Sequence, residues 1–436
     1  MRIGIRREDK NEWERRVPLT PNHVRTLVEQ GIQVAVQPSA IRIFRDEEYV
    51  QSGAAVRDDL SDCGIVFAVK EIPADFFHHG KAYMFFSHTF KGQPHNMPML
   101  RTMLERKVTL IDYEKVTDEQ NRRLIFFGNY AGTAGMLETF YTLGKRLAWE
   151  GIPNPFDNLK RPLEYSGLEA AKTALRDAGR RIAAEGLPRE LQPLVVGFSG
   201  YGNVSKGAQE IFDLLPHESI PAPDLARWAQ AGAASDRVLY KVVFYEKDMA
   251  RPRNGSFDLQ QYYREPERYE SRFEEYLPHL TVLVNCIYWD ARYPRLVTKS
   301  WARRAWTSGS KPKLRVIGDI SCDIEGSIEC TVHATEPGDP IYTYLASDGR
   351  TVSGWEGEGP VIMAVDTLPS ELPREASVSF GDMLVPFVPG IERCDFSKHY
   401  EDLDLPHAIK RAIIVHRGEF TPDYLYMTKH IQTHSV

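Results

Sequence analysis

Two short apolar segments of the sequence each end at an ionisable side chain that could transfer a proton. Residues 64–69 (GIVFAV) are uncharged and precede Lys70, and residues 82–87 (AYMFFS) are uncharged and precede His88. A partly desolvated lysine has a lowered pKa and can act as an acid or a base, and histidine titrates near neutral pH. If the two segments are neighbouring parallel strands, both side chains face the same crevice. The alternative is that they only end strands in water.

An arginine pair lies between the first predicted strand and the first predicted helix. Residues 2–5 have the pattern of a strand, and Thr20-Pro21 supplies a helix N-cap followed by proline at the first helical position. The connecting loop includes Arg15 and Arg16. In an open α/β sheet such a loop lies beyond the carboxyl end of the strand, where ligands bind. The alternative is a solvated surface pair.

Residues 194–215 (LVVGFSGYGNVSKGAQEIFDLL) predict a strand, a glycine turn and a helix. The first residues are apolar and β-branched, as in a buried parallel strand, and the last ones place apolar residues at helical spacing. Gly200, Gly202 and Gly207 would let the chain turn sharply and let backbone N–H groups approach a pyrophosphate. Ser205 stands where a third glycine is usual. The alternative is a tight turn that binds nothing.

Length and composition restrict the class of protein. The 436 residues exceed one ordinary core and predict two domains. Hydrophobic residues make up 42% and charged residues 26%, as in soluble globular proteins, and a formal net charge of −6 argues against a nucleic-acid partner. The chain has no apolar run of the about 18 residues that a membrane helix needs, and the start, MRIGIRRED, has no apolar signal-peptide region. We therefore expect neither a nucleic-acid nor a membrane partner.

The cysteines and histidines predict no disulfide and no metal site. The five cysteines are scattered, odd in number and never in a C-x-x-C motif. This usage is typical of reduced thiols and predicts a cytoplasmic location. Apart from His430 and His434 near the C-terminal end, the thirteen histidines show no H-x-x-x-H spacing, and the sequence predicts no metal ligands.

Strand and helix patterns alternate along most of the chain, which predicts an α/β fold with parallel sheets. Further strands are predicted at 34–36, 108–111, 241–245, 280–284 and 314–317, and further helices at 96–107, 128–149, 168–185 and 368–387. Residues 258–275 predict a solvated helical segment, residues 326–359 long loops, and residues 408–414 a last helix.

A series of segments occurs in an order that resembles one family. These are ERRVPLTP, VKEIP, FFSHTFK, LIDYEK, FGNYAGTAGM, GYGNVSKGA, NCIYW, GDISCD and DTLPSELPREAS. Together they resemble the lysine–2-oxoglutarate reductase branch of the saccharopine dehydrogenase and alanine dehydrogenase group, over residues 1 to about 388. The family has the same departure from the usual third glycine.

The resemblance implies reductive condensation of L-lysine with 2-oxoglutarate to saccharopine, with hydride from a nicotinamide cofactor. It implies that Lys70 and His88 are the acid–base pair and that Arg16 binds a substrate carboxylate. Lys91 and Glu114 lie in the matching segments as further substrate-binding residues. Forming and reducing an imine requires one group that accepts a proton and another that donates one, so two groups with different pKa values suit the task.

The resemblance also implies the cofactor-binding residues, which are Gly200, Gly202, Asn203, Val204, Ser205, Gly207, Arg227, Asn285, Ile287, Tyr288 and Asp319. The residue that distinguishes the two cofactor forms is expected just after the second strand of the nucleotide domain, near residues 220–229. NAD-specific relatives tend to have an acid after a basic-Trp pair, where this chain has Arg227-Trp228-Ala229. We therefore predict NADP, with NAD as the alternative.

The implied architecture has two Rossmann-like domains with parallel sheets and a cleft between them. The substrate domain is predicted at residues 1–138, the nucleotide-binding domain at 139–325, and a C-terminal segment that returns to the substrate domain at 326–436. The expected partners are small molecules, namely L-lysine, 2-oxoglutarate and saccharopine, and a homo-oligomer is left open.

Two other readings compete with this function. The nearest is an enzyme of the same fold with another substrate, either an NAD-linked, lysine-forming saccharopine dehydrogenase or an alanine dehydrogenase. The other is a non-catalytic ligand-binding relative, since a fold does not by itself secure activity. The presence of Lys70, His88 and Arg16 together argues against the non-catalytic reading.

Overall fold

A computed structural model describes residues 1–232, 234–309 and 311–433. Its strands are β1 (Ile3–Ile5), β2 (Val34–Val36), β3 (Ala55–Val56), β4 (Ile65–Phe67), β5 (Ala82–Phe85), β6 (Thr109–Asp112), β7 (Val195–Ser199), β8 (His217–Ser219), β9 (Leu239–Phe244), β10 (Ala250–Pro252), β11 (Tyr269–Ser271), β12 (Val282–Asn285), β13 (Val316–Asp319), β14 (Ile341–Tyr344), β15 (Thr351–Ser353), β16 (Val361–Met363), β17 (Ile413–His416) and β18 (Glu419–Phe420).

The α-helices are α1 (Pro21–Glu29), α2 (Asp46–Gln51), α3 (Met97–Glu105), α4 (Gly128–Trp149), α5 (Leu168–Glu185), α6 (Asn203–Phe212), α7 (Leu225–Ala231), α8 (Glu246–Met249), α9 (Leu259–Arg264), α10 (Lys299–Thr307), α11 (Pro373–Leu384), α12 (Val388–Arg393), α13 (His407–Arg411) and α14 (Thr428–Thr433). Across the described ranges, no helix is both long enough and apolar enough to cross a membrane.

The chain forms two compact units. Unit 1 comprises Met1–Phe127 with Pro373–Val436, and unit 2 comprises Gly128–Leu372. The predicted roles of residues 1–138 in substrate binding and of residues 139–325 in nucleotide binding, with 326–436 returning to the substrate domain, stay predictions. The compact units differ from them because residues 128–138 and 326–372 pack within unit 2.

Unit 1 is built on an eight-stranded sheet in the order β18-β17-β6-β5-β4-β1-β2-β3. β1 to β6 run parallel, whereas β17 is antiparallel to β6 and β18 is antiparallel to β17. β1, β2, β4, β5 and β6 are buried along their whole length, which explains the continuous apolar sequences of the first four; β6 also contains Thr109 and Asp112. The strand order changes direction between β1 and β4, and open α/β sheets bind ligands at the carboxyl ends of such strands.

Unit 2 is built on a second eight-stranded sheet in the order β15-β14-β16-β13-β12-β7-β9-β8. Six neighbouring strands in this order, namely β16, β13, β12, β7, β9 and β8, run parallel to one another. β14 is antiparallel to both of its neighbours, β16 and β15. β9 lies between β7 and β8, and the order changes direction between β7 and β12. The predicted α/β fold with two mostly parallel sheets is therefore confirmed.

In unit 2, α4 and α6 cross with their backbones in contact. A Cβ atom built at Gly132 on α4 would overlap the carbonyl oxygen of Val204 on α6. Only glycine fits so close an approach. The small residues at the start of α4 therefore position the helix that follows the glycine turn.

Three predicted segments differ from the structure because each contains residues that pair with another strand. Residues 258–275 contain the short helix α9 and then β11, which pairs with β10 around buried tyrosines rather than forming one solvated helix. Residues 326–359 contain β14 and β15 rather than only loops. Residues 408–414 end α13 and begin β17, whose apolar residues complete the sheet of unit 1.

Candidate active site

The carboxyl ends of β1 and β4 are connected through the buried side chain of Glu8. Glu8 accepts hydrogen bonds from the backbone N–H groups of Val69 at 2.7 Å and of Lys70 at 3.0 Å. Burial raises the pKa of Glu8 to about 7, and the negative charge of Glu14 adds to the effect. Because the strand order changes direction between β1 and β4, Lys70 lies at the edge where unit 1 is expected to bind a ligand.

His88 follows β5 and is held in place by a carboxylate. Its Nδ1 lies 2.6 Å from Oε1 of Glu71, whose Oε2 accepts a hydrogen bond from Nζ of Lys10 at 2.9 Å. Burial alone would raise the pKa of Glu71, but His88 and Lys10 lower it below the usual range. The backbone of His88 has a positive φ of 47°, and its carbonyl accepts a hydrogen bond from Asn96 at 3.1 Å. These contacts orient the imidazole so that Nε2 is the nitrogen left for proton exchange.

Arg16 is buried beside Glu14, and the two form a two-pronged ion pair. Nε of Arg16 lies 2.7 Å from Oε1 of Glu14, and Nη2 lies 2.6 Å from Oε2. The guanidinium also stacks 4.3 Å above the ring centre of Phe127. Within the described part of the chain, Nη1 is the guanidinium nitrogen without a hydrogen bond. A ligand carboxylate would therefore meet Nη1 or compete with Glu14.

Lys70 belongs to the same charged cluster. Burial lowers the pKa of Lys70, and the positive charge of Arg16 lowers it further, while Glu14 acts in the opposite direction. Burial would raise the pKa of Glu14, but Arg16 and Lys70 lower it. Glu71 interacts with both Lys70 and His88. The structure thus brings together Lys70, His88 and Arg16, three of the side chains singled out from the sequence.

Lys91 and Glu114, the other two predicted substrate-binding residues, contact different partners. Glu114 forms an ion pair with Arg123. The ammonium group of Lys91 is exposed and lies 5.5 Å from the ring centre of Phe90. In the described ranges, neither side chain forms a hydrogen bond or an ion pair with the charged cluster, and their substrate-binding roles stay predictions.

Acids and a lysine that were not singled out from the sequence complete this cluster. Glu14 and Glu71 lie inside the ERRVPLTP and VKEIP segments, next to or near the residues that were singled out. Buried cations need paired anions, so a glutamate beside each was a usable signal. Glu8 and Lys10 had no such signal, because their contacts depend on how the loop after β1 lies against β4.

The glycine turn after β7 has the geometry of a phosphate-binding turn. Gly200 has a φ of 83°, which favours glycine, and a Cβ atom built at Gly202 would meet nothing within 4 Å. α6 begins at Asn203 without a side-chain cap, so the N–H groups around Asn203 and Val204 are available to an acceptor. These features fit the pyrophosphate of a dinucleotide.

Ser205 and Gly207 lie on the buried side of α6. Oγ of Ser205 accepts a hydrogen bond from Gln209 at 2.9 Å, and the serine side chain is fully buried. A Cβ atom built at Gly207 would overlap the carbonyl oxygen of Asn129 on α4. The close approach that requires glycine is therefore at Gly207 rather than at Ser205. Contacts of either residue with a cofactor stay predictions.

Asn285 and Asp319 form a buried polar network at the ends of β12 and β13. Nδ2 of Asn285 donates to Asp319 and to Ser327, each at 2.8 Å, and its Oδ1 accepts from Oγ of Ser199 at 2.7 Å. Asp319 also accepts a hydrogen bond from Thr331 at 2.5 Å, and burial raises its pKa to about 6. Both side chains are covered by protein, so the network fixes the strand ends beside the glycine turn.

Ile287 and Tyr288 follow β12 on the side of the glycine turn. Cγ2 of Ile287 would lie 3.0 Å from a Cβ atom built at Gly200, so Ile287 packs on the turn. The hydroxyl of Ser321 donates a hydrogen bond to the carbonyl of Ile287 at 2.6 Å. Tyr288 is 78% exposed, which leaves its ring open to a ligand.

The strand order does not favour residues 220–229 as the place of the residue that distinguishes NAD from NADP. β9, not β8, pairs with β7 along its whole length. Arg227 therefore follows an edge strand. Its side chain is 82% exposed, and its guanidinium pairs with Asp224 at 2.6 Å. The strand next to the glycine turn is instead followed by Tyr245 and Glu246. The preference for NADP stays a prediction.

The thiols contribute no evident chemistry to either unit. All five cysteines are free, and burial raises the pKa of each of them. Thiols of this kind are poor nucleophiles. Among the residues that the structure describes, no three His, Cys, Asp or Glu side chains are grouped to hold a metal ion.

Comparison with a family model and with a solved structure identifies the fold of this chain. Residues 4–134 match the family described as "Alanine dehydrogenase/PNT, N-terminal domain". A structure of L-alanine dehydrogenase matches with a TM-score of 0.63 and 20% sequence identity, covering 99% of this chain and 100% of the other. The chain is therefore an α/β protein with the fold of alanine dehydrogenase.

Sequence comparison then gives the particular relatives. α-Aminoadipic semialdehyde synthase of Arabidopsis thaliana is 40% identical over 98% of this chain and 41% of its own length. Saccharopine dehydrogenase [NAD(+), L-lysine-forming] of Emericella nidulans is 27% identical over 88% of this chain and 90% of its own length. The family resemblance inferred from the motifs is confirmed, and the chain is a relative of α-aminoadipic semialdehyde synthase. It spans less than half the length of the curated synthases that it matches.

Proposed function

We propose that the chain catalyses the nicotinamide-dependent reductive condensation of L-lysine with 2-oxoglutarate to saccharopine, in a reversible reaction. The observation that supports this most strongly is the cluster of Lys70, His88 and Arg16 at the ligand-binding edge of unit 1. The names of the two relatives, a semialdehyde synthase and a lysine-forming saccharopine dehydrogenase, agree with an amino-acid substrate.

The acid–base work falls to Lys70 and His88. When an amine condenses with a ketone, one group takes the proton from the amine nitrogen and another protonates the departing hydroxyl of the carbinolamine. Burial and Arg16 lower the pKa of Lys70, so Lys70 can release and take up a proton closer to neutrality. Glu71 holds Nδ1 of His88, which directs Nε2 to the second proton transfer.

Arg16 positions the substrates in this proposal. Both substrates contain carboxylates, and a guanidinium fork binds a carboxylate with defined geometry. Glu14 holds the guanidinium in one orientation before a ligand arrives, which reduces the entropy lost on binding.

Unit 2 is proposed to hold the nicotinamide dinucleotide. The uncapped N-terminus of α6 and the open space at Gly202 would accept the pyrophosphate, and the exposed ring of Tyr288 borders the same strand ends. When bound, the cofactor supplies the hydride that reduces the imine. The preference for NADP inferred from the sequence depends on Arg227, which pairs with Asp224.

The proposal is tested with a panel of amines and 2-oxo acids. Oxidation of NADH and of NADPH is followed with L-lysine, L-alanine, L-glutamate or ammonia, each combined with 2-oxoglutarate or pyruvate. We expect turnover with L-lysine and 2-oxoglutarate, and its loss in the matched variant Lys70→Met. Turnover only with pyruvate and ammonia would indicate an alanine dehydrogenase instead. No turnover with any pair would contradict the proposal and favour a ligand-binding relative.

A second candidate is an NAD-linked saccharopine dehydrogenase that works toward lysine. The observation in its favour is the relative from Emericella nidulans, which bears that name and matches over 90% of its own length. Saccharopine oxidation with NAD⁺ at a higher kcat/KM than the condensation would favour this direction.

A further inference from the structure

Glu246 lies beside the glycine turn although it is distant from it in sequence. The N–H group of Gly200 donates to the carbonyl of Phe244, the last residue of β9, at 3.0 Å. The turn is therefore level with the end of β9, and Tyr245 and Glu246 come next. In dinucleotide-binding sheets, the residue that contacts the adenosine ribose follows the strand next to the glycine-turn strand.

Tyrosines surround the Glu246 carboxylate. The hydroxyl of Tyr201, the residue between the two glycines of the turn, donates to Oε1 of Glu246 at 3.2 Å. The hydroxyl of Tyr263 donates to the same oxygen at 2.6 Å. The rings of Tyr201 and Tyr245 are 4.9 Å apart, and both are exposed. Glu246 is thus fixed at the surface, next to the turn, among aromatic rings that border open solvent.

One oxygen of Glu246 remains available. Both tyrosine hydroxyls share Oε1, and within the described ranges Oε2 accepts no hydrogen bond and no Lys, Arg or His pairs with the carboxylate. A carboxylate in this position accepts hydrogen bonds from free ribose hydroxyls and repels a 2′-phosphate. Arg227, in contrast, is already paired with Asp224 on the far side of β9.

We infer that Glu246 binds the adenosine ribose and makes this chain prefer NADH to NADPH. The inference rests on the proposed function only in that a nicotinamide dinucleotide binds at the glycine turn. It assigns the specificity to a residue that was not singled out from the sequence, and it reverses the cofactor preference inferred from Arg227.

The test is direct binding of each dinucleotide to the full chain, without substrates, by fluorescence titration. We expect NADH to bind at least about tenfold more tightly than NADPH, since like charges in contact oppose binding strongly. Glu246→Gln should remove most of this ratio, chiefly by tighter binding of NADPH. Glu218→Gln, an exposed glutamate on the edge strand β8, is the matched control and should leave the ratio unchanged.

Several outcomes would overturn the inference. These are a wild-type preference for NADPH, a ratio that survives Glu246→Gln in a variant with an unchanged melting temperature, a ratio that responds to Arg227→Gln instead, and no binding of either dinucleotide. Because the titration contains no substrate, an inactive lysine assay with an intact NADH preference rejects only the proposed function. Turnover of lysine with an NADPH preference rejects only the role of Glu246.

Discussion

The two sheets of this chain share a frame but differ in what they place at its ligand-binding edge. Each has eight strands and changes its strand order beside its first strand, between β1 and β4 in unit 1 and between β7 and β12 in unit 2. The edge of unit 1 is a cluster of buried and half-buried charges. The edge of unit 2 consists of glycines, backbone N–H groups, amides and hydroxyls, together with Asp319. The same frame therefore presents two different sets of side chains at its edge.

The contrast follows from what each ligand requires. Proton transfer requires titratable groups with shifted pKa values, and unit 1 keeps such groups buried by pairing them, as Glu14 pairs with Arg16. A dinucleotide requires donors for a polyanion and close access to the backbone. A dense group of carboxylates at the glycine turn would repel the phosphates. The half-buried Glu246 instead lies at the end of the neighbouring strand, where a ribose would reach.

The largest expected effect would test whether proton transfer is confined to unit 1. Lys70→Met and His88→Gln should each lower kcat by about 10²–10⁴-fold, the usual contribution of one acid–base group, and should leave NADH binding intact. Each variant should also lose one limb of the pH profile of kcat/KM. The double variant should lose less than the product of the single losses, because the two residues act as one unit.

The pH profile decides between a catalytic and a merely structural role for each residue. It is measured with L-lysine and 2-oxoglutarate for the wild type and for both single variants. An unchanged bell shape in either variant would remove that residue from the proton transfers, whatever its effect on the rate. Weakened NADH binding in either variant would contradict the proposal that unit 1 transfers protons and unit 2 binds the dinucleotide.

An intermediate effect is expected at the arginine pair. Arg16→Lys keeps the charge but loses the two-pronged pairing with Glu14 and with a substrate carboxylate. Transition-state binding should therefore weaken by about 1–3 kcal/mol, measured as a lower kcat/KM. Arg15 is the matched control, because its Nε donates only to the carbonyl of Ile41 in the described contacts. Arg15→Lys should be nearly silent. Equal losses at both positions would mean that the pair is a general electrostatic patch.

The smallest expected effect concerns two buried acids that share one nearby cation. Glu138 on α4 and Glu371, both at most 2% exposed, face each other in unit 2, and Nε of Arg161 is 3.5 Å from Glu138. Burial raises the pKa of both carboxyls. Between the unfolded pKa and the raised folded pKa, the folded state binds more protons, so the free energy of unfolding falls as the pH rises.

Removing the charge at Glu138 should therefore stabilise unit 2 above this window. We expect Glu138→Gln to raise the free energy of unfolding relative to the wild type by about 1 kcal/mol or more for each unit of pKa shift that it removes, measured by urea unfolding at pH 5 and pH 8. Glu150 is the matched control of opposite sign. Burial would raise its pKa, but Arg315, Arg146 and Lys311 lower it, so Glu150→Gln should destabilise the chain at pH 8. Equal signs in the two variants would contradict the assignment.

The sequence predicted those parts of the fold that depend on local pattern. α4 and α5 have the predicted bounds, because apolar residues at helical spacing and small residues at the helix start lie within one segment. Lys70 and His88 lie at the ends of neighbouring parallel strands, as the two apolar runs indicated. The partners of these residues could not be predicted in the same way, because Glu8 and Lys10 reach them only after the sheet has formed.

The position of Glu246 was missed for a related reason. Chain order suggested that the strand after α6 lies next to β7, whereas β9 takes that place. A usable signal was present, since β8 (HES) is short and polar and β9 (LYKVVF) is longer and apolar, as expected of an edge strand and a central strand. This contrast favours β9 as the neighbour of β7 and places the proposed specificity residue at the end of β9 rather than at 220–229.

The crossing of α4 and α6 separates what this chain can change from what it must keep. Gly132 and Gly207 each lie against a carbonyl oxygen of the other helix, so no repacking of side chains can make room for even a methyl group. Lys70, His88 and Glu246, in contrast, follow the ends of β4, β5 and β9 and lie outside this crossing. A change at these positions would therefore leave the helix crossing intact, whereas a side chain at either glycine would force the two helices apart.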